Sequence, residues 1–408
     1  MTRMKESGID WIGLIPEGWE VSRLKYFFDI YAGGDIDERN TVDEYSENHP
    51  YPVISNSLEN EGILGYTSNF RFQGDSVTVT GRGDVGKAVY RNIKFYPVVR
   101  LLVCIPKKQV DCRFVTYWIN SAIIEKNQTA VSQLTIQMLG ELIFTKVPYL
   151  EQKKIADFLD KKTAQLDKVK TILEAQIQKL KDYRASLIYE TVTKGLDKTV
   201  PMKNSGIDWI GQVPQGWGVD FANHIFEEHK QKNKGNKEKN LLSLSYGRII
   251  RKSIDSSFGL LPESFDTYNI IQRGDIVLRL TDLQNDKKSL RVGLARENGI
   301  ITSAYLTLRL KNIGCSDSYM YYLLHTYDIC KVFYNFGGGV RQGGTWSDIY
   351  KLELLIPPYN EQAQITDFLD KKTAQIDQLI QIKNQQIKNI NKQRQTLIYD
   401  YVTGKRRV

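Results

Sequence analysis

Few residues of this 408-residue chain stand in patterns that could do chemistry, and those patterns are incomplete. Gly81, Gly83 and Gly86 spell GxGxxG after a strand-like run. A dinucleotide site needs a helix there, because the pyrophosphate rests on the helix N-terminus. The next residues, KAVYRNIKFY, read instead as strand, and no acid follows at the ribose-binding distance. Ile356-Pro357-Pro358-Tyr359 is similar to a motif of amino-methyltransferases acting on DNA bases. That chemistry needs a polar first residue to accept from the target amino group, and isoleucine cannot, so a turn into a helix is expected. Asp275 with Asp286-Lys287-Lys288 loosely suggests a metal-dependent nuclease. His224 and His229 flank Glu227 and Glu228, but HxxEEH is not the HExxH of a zinc helix. His49 and His325 have no partners at useful spacing, and no GxxxxGK[ST] occurs. None of the four cysteines forms a CxxC pair, so a zinc knuckle or redox motif is not expected; reduced thiols in a cytoplasm are.

What remains is a set of basic and amide residues in glycine-rich loops. Arg forks onto guanine, and Asn or Gln onto adenine. In the first half these are Arg82 and Lys87 in the GRGDVG loop and Gln133 beyond the next helix. In the second half they are Arg279, Lys288, Arg291, Arg341 and Gln342. Adjacent glycines let the backbone approach phosphates. The net charge of +9 suits a polyanion, since each cation set against a phosphate releases counterions. The Lys-rich stretch 230–239, KQKNKGNKEK, reads as a solvated loop with a loose phosphate role.

The elements that must position these residues come from repetition. SGIDWIGLIPEGW at 7–19 returns as SGIDWIGQVPQGW at 205–217, with ten of thirteen positions identical at an offset of 198. EQKKIADFLDKKTAQLDKV at 151–169 returns as EQAQITDFLDKKTAQIDQL at 361–379, with thirteen of nineteen identical at an offset of 210. LIYETVTKG at 187–195 and LIYDYVTGK at 397–405 keep that second offset. The second copy therefore carries 12 extra residues between its matched ends. The ends of each copy agree while the interiors, roughly 20–148 and 218–356, differ. This is domain duplication, a shared scaffold carrying two different readers.

Leu159, Leu166, Leu173, Leu180 and Leu187 fall at seven-residue spacing, widened by Ile155, Phe158, Val169, Ile172, Ile177 and Tyr183, and Lys194-Gly195 ends the run. Leu369, Ile376, Ile390 and Leu397 hold the same heptad, interrupted by Lys383, with Phe368, Leu379, Ile380 and Ile387 beside them. Two long helices with apolar stripes are expected to pair antiparallel. Leu159 to Leu187 rises about 42 Å at roughly 1.5 Å per residue, about twelve base pairs, so the pair could act as a ruler. The interiors read as irregular α/β heads. Strands are expected at 76–80 and 95–106 with a helix at 114–128, then strands at 274–280 and 303–310 with a helix at 317–335. The expected fold class is α+β: two globular α/β heads separated by two long helices in an antiparallel coiled coil, with an internal repeat. The expected divisions are 1–149, 150–195, 196–359 and 360–408. Hydrophobic residues, at 41%, suffice for more than one core. No run of about 18 apolar residues occurs, and MTRMKESGIDWIG has no basic start followed by an apolar stretch, so neither a membrane span nor secretion is expected.

The paired SGIDWIGxxPxGW and EQxxIxDFLDKKTAQxD segments and the GxRQ loop at 339–342 resemble the specificity subunit of type I restriction–modification systems, over essentially the whole chain. The resemblance implies that the interiors are target recognition domains, each reading one half of a bipartite, asymmetric site on double-stranded DNA. It implies conserved helical spacers at 150–195 and 360–408. Two modification subunits, carrying the methyl donor site, would dock on the repeated elements, and two restriction subunits would complete an ATP-dependent endonuclease. The chain itself would hold no cofactor and no catalytic site, with methyl donor, ATP and Mg²⁺ on the partners. Base-contacting residues do not carry over, because recognition domains vary. The rival reading is a self-contained DNA nuclease or methyltransferase with a divergent site. It does not explain why helices, rather than an active site, are duplicated.

Overall fold

A computed structural model describes residues 3–122, 133–252, 264–281, 290–311, 314–335 and 344–408. The chain forms two compact units, residues 1–173 with 384–408, and residues 174–383. Each long helix is thereby divided between them. The first spans Tyr149–Lys194 and the second Tyr359–Val402.

In the first unit a four-stranded antiparallel sheet runs in the order Phe28–Ala32, Leu101–Pro106, Ser76–Thr80, Ala88–Arg91. The second unit builds its sheet in the same order from Phe226–Glu228, Leu306–Leu310, Ile276–Leu278 and Val292–Leu294. The dissimilar interiors thus share one topology. A helix follows the sheet in each, Cys112–Ser121 and Asp317–Ile329, N-capped by the side chains of Asp111 and Ser316. The expected strand over 95–106 is broken into Tyr96–Pro97 and Leu101–Pro106 by Arg100, whose φ is 73°. The helix expected to reach 335 stops at Ile329; Lys331, at φ 63°, breaks it before a short 3₁₀ turn.

The repeated segments pack together. Trp19 and Trp217 are buried, and each indole N–H donates to a glutamate at the start of a long helix, Trp19 to Glu151 and Trp217 to Glu361, both at 3.0 Å. The neighbouring glutamines are buried too. Gln152 Oε1 accepts from the Asp111 N–H at 2.9 Å, and Gln362 Oε1 from the Ser316 N–H at 2.8 Å, so each long helix also fixes the cap of its head helix. Further on, Asp160 and Asp370 accept from the phenols of Tyr117 (2.8 Å) and Tyr322 (2.6 Å).

Each core takes the start of one long helix and the end of the other. Ile155, Ala156 and Leu159 join Ile398 and Val402 in the first, while Ile365 and Leu369 join Ile188 and Val192 in the second. Within the first unit the helices meet at Phe158–Tyr401, with ring centroids 4.5 Å apart, and at Asp167–Arg394, 3.4 Å. Within the second they meet at Arg184–Asp377, 4.0 Å, and Gln176–Lys383, 2.6 Å. Numbers rise along one helix as they fall along the other, so the pairing is antiparallel in both units. Lys383, the break in the heptad, donates to Gln176 across the seam. The buried stripe is narrower than the sequence pattern: Val169, Ile172, Tyr183 and Leu379 are exposed. A two-stranded seam covers one strip of each helix and leaves its flanks in solvent.

The C-terminal turns close the same way. Tyr399 donates to the Trp11 carbonyl at 2.9 Å and its ring lies against the Trp11 ring, while Tyr189 lies against Trp209. The half-buried Trp11 and Trp209 therefore pack their units, with further ring contacts to Trp118 and Tyr327. No helix among the described residues is long and apolar enough to cross a membrane.

Removing the acceptor of a buried indole N–H leaves it unsatisfied, at a cost of about 1–3 kcal/mol. Glu151→Ala and Glu361→Ala are each expected to lower the urea midpoint accordingly, and Glu→Gln, which keeps a carbonyl acceptor, to lower it less. Unchanged midpoints would contradict the assignment.

Candidate nucleic-acid interface

The GxGxxG run is the tip of a β-hairpin between Ser76–Thr80 and Ala88–Arg91. A strand follows it, as the sequence predicts, so no helix N-terminus faces a pyrophosphate. The tip is fixed from within. Gly86 N–H donates to the Thr80 carbonyl at 2.8 Å and Lys87 N–H to the Thr80 hydroxyl at 2.9 Å. Gly83 and Gly86 take φ of 70° and 81°. A Cβ on Gly81 would stand 2.2 Å from the Arg100 carbonyl oxygen, so only glycine fits. This frame holds Arg82 and Lys87 in solvent.

Asn56 anchors the base of the hairpin. Its Oδ1 accepts from the Gly81 N–H at 2.9 Å and its Nδ2 donates to the Val99 carbonyl at 3.2 Å. The Leu134 N–H donates to the Gly81 carbonyl at 3.0 Å, which sets the exposed Gln133 beside Arg82. Two stretches remote in sequence thus meet just past the end of the inner strand Ser76–Thr80. The second unit repeats the meeting: Gly344 N–H donates to the Leu280 carbonyl at 2.7 Å, joining the end of the Gly-rich loop to the end of the matching strand. Lys288, Arg341 and Gln342 lie outside the described residues.

The other two sequence candidates differ. Arg279 is half-buried, with its N–H donating to the Arg291 carbonyl at 2.9 Å. Arg291 is 0% exposed. Its guanidinium donates to the carbonyls of Arg279 (3.1 Å) and Thr281 (2.6 Å) and to the Tyr334 hydroxyl (3.3 Å). A buried guanidinium committed to backbone carbonyls shapes the loop and cannot reach a base, which corrects the reading of Arg291 as a DNA contact. Asn56 was not singled out in the sequence; 25 residues from Gly81, it carries no local signal.

Each unit also has a groove beside its hairpin, against the long helices. In the first unit its volume is about 1040 Å³, lined by Lys87, Arg113, Tyr117, Asp160 and Arg394. Burial pushes the Tyr117 phenol up to about 12. In the second it is about 320 Å³, because the hairpin Leu242–Arg251 reaches in and Arg248 pairs with Asp377.

The near-motif residues within the described set are structural, while Asp286, Lys287 and Lys288 lie outside it. Asp275 is buried and held by both arms of Arg309, at 2.8 and 2.7 Å. Pro358 precedes the first turn of the second long helix, accepting from the N–H groups of Glu361 and Gln362. His224 pairs with Asp220 at 2.7 Å. His325 is wholly buried, and desolvation depresses its imidazole to about 4. Among the described residues no three His, Cys, Asp or Glu side chains gather as a metal site, and the cysteines are free.

Comparison with known proteins sets this geometry in context. A family model described as "Type I restriction modification DNA specificity domain" matches residues 16–181 and 267–391. A protein named as the MjaX specificity subunit of a type I restriction enzyme, from Methanocaldococcus jannaschii, is 24% identical over 97% of this chain and 96% of its own. One named as a type I specificity subunit, from Mycoplasma pneumoniae, is 33% identical over 29% of this chain, a match spanning 35% of that relative's length. A second from that organism is 31% identical, over 32% of its own length. Among solved structures, a chain from "Structural basis underlying complex assembly and conformational transition of the type I R-M system" shares the fold, with a TM-score of 0.67 over 96% of this chain and 99% of its own, at 13% identity.

Arg82→Ala is expected to weaken binding to the cognate duplex by about 1–3 kcal/mol while sparing random duplex, if the guanidinium forks a guanine. Equal losses on both, in a fluorescence anisotropy titration, would demote Arg82 to a phosphate contact.

Proposed function

Since the chain belongs to the type I restriction modification DNA specificity domain family, we propose that it is the sequence-reading subunit of a type I restriction–modification complex. One observation carries this reading: in each unit two stretches distant in sequence meet just past the end of the corresponding inner strand of the sheet, Leu134 on Gly81 and Gly344 on Leu280. The frame recurs while the side chains displayed on it differ, which is what two readers of different half-sites require. The heads would read double-stranded DNA, with Arg82, Lys87 and Gln133 serving the first half-site and Arg279, Lys288, Arg341 and Gln342 the second.

The antiparallel helices would keep the half-sites about one turn of duplex apart. Because the frame is presented twice, it would seat two copies of one modification subunit, and two restriction subunits would bind the assembly. Base methylation, ATP use and Mg²⁺ binding would belong to those partners, and this chain would have no catalytic centre. The complex would work in the cytoplasm, where its DNA is.

Replacing residues 20–148 with another recognition domain is expected to change one half of the methylated sequence and leave the other half and the gap intact, read by mapping methylated bases in the host genome. Change in both halves would refute independent readers.

A further inference from the structure

The two heads carry opposite charge at one topological position, just after the first strand of the sheet. In the first head, residues 35–48 hold six exposed carboxylates, Asp35, Asp37, Glu38, Asp43, Glu44 and Glu47, against one arginine, Arg39. In the second, residues 230–239 hold five exposed lysines against Glu238.

The lysine segment is not the loose loop its composition suggests. Asn233 is 0% exposed and staples it: its Oδ1 accepts from the Glu238 N–H at 2.9 Å and its Nδ2 donates to the Glu238 carbonyl at 3.0 Å. Its own N–H donates to the Tyr268 carbonyl at 3.0 Å. Gly235 and Asn236 take φ of 75° and 49°, and the Asn236 N–H donates to Asp266 at 2.8 Å. Ile270 N–H donates to the Gln231 carbonyl at 2.7 Å. Lys230 pairs with Glu228 and Lys232 donates to the Thr267 carbonyl, whereas Lys234, Lys237 and Lys239 have no ion-pair partner among the described residues. Three free ammonium groups therefore stand on a turn whose backbone is already ordered, which removes the backbone part of the cost of fixing them on a ligand.

The turn is tied to residues 266–270, which lead into the start of the strand Ile276–Leu278; the candidate reading loops meet beyond its end, at Leu280. Lysine is a point charge without the planar fork that reads base edges. We propose that Lys234, Lys237 and Lys239 form a backbone clamp for DNA phosphates, distinct from the base-reading loops and belonging to the second head alone. The first head, whose equivalent segment is acidic, repels phosphate there. The clamp rests on the DNA-reading function proposed above.

The test uses the full chain in complex with its modification subunits and the variant Lys234→Ala/Lys237→Ala/Lys239→Ala, titrated against cognate and random duplex at several salt concentrations. Each phosphate contact contributes about 0.9 to the slope of log affinity against log salt, so three lysines make the variant's slope shallower by up to about 3. With all three engaged, wild type loses roughly forty-fold more affinity than the variant between about 50 and 200 mM salt. The loss is expected on both duplexes alike, with the methylated sequence unchanged and the denaturation midpoint retained, and the triple Lys→Arg variant is expected to keep the wild-type slope. An unchanged slope in a complex that still binds cognate DNA overturns the clamp and leaves the reading function standing, as does a loss confined to self-association, which would assign the turn to a second copy's acidic segment. A wild-type complex that discriminates no sequence overturns the reading function itself.

Discussion

A buried indole N–H must find an acceptor, and Trp19 finds its acceptor 132 residues away, at Glu151. Trp217 does the same with Glu361, 144 residues away. The second span is twelve residues longer, the same excess that separates the two repeat offsets, so all the added length is absorbed by the head between the bonded ends. This one contact closes each head into a loop on its own helix. Gln152 and Gln362, one residue further on, reach the caps of the head helices, so the orientation of each head follows from the first turn of each long helix. With the ends of each interior segment pinned so closely, the two interiors differ in sequence and still keep the same frame.

The helices, the duplication and the antiparallel pairing were legible because a heptad and an identity at fixed offset are local, periodic signals. The strands Ser76–Thr80 and Leu306–Leu310 were legible for the same reason. What the helices touch at their ends was not. Leu187, the last of the heptad series, packs with Ile188 and Val192 against the core of the second head. Val169, Ile172, Tyr183 and Leu379 look like part of the seam and are in solvent. Hydrophobic periodicity records that a face is apolar but not which partner covers it.

For the candidate site, loop composition identified Arg82, Lys87 and Gln133, and the backbone bond from Leu134 to Gly81 brings them together. Arg291 had the same apparent credentials and is buried, because charge type alone does not distinguish a guanidinium aimed at solvent from one that satisfies backbone carbonyls. Half-buried Asn56 and buried Asn233 have no signature in the sequence, since an asparagine that organises a turn leaves no periodic trace. The Lys-rich stretch was legible as basic but not as ordered, and its order is what makes it a fixed display of charge.

Each unit is closed by the start of one long helix against the end of the other. Asp167→Cys with Arg394→Cys, in a chain whose accessible native thiols Cys315 and Cys330 are changed to serine, tests that directly with a short thiol-to-thiol crosslinker. A crosslink within one chain is expected, formed at high dilution and mapped to residues 167 and 394. No crosslink, or one formed only between chains, would contradict it.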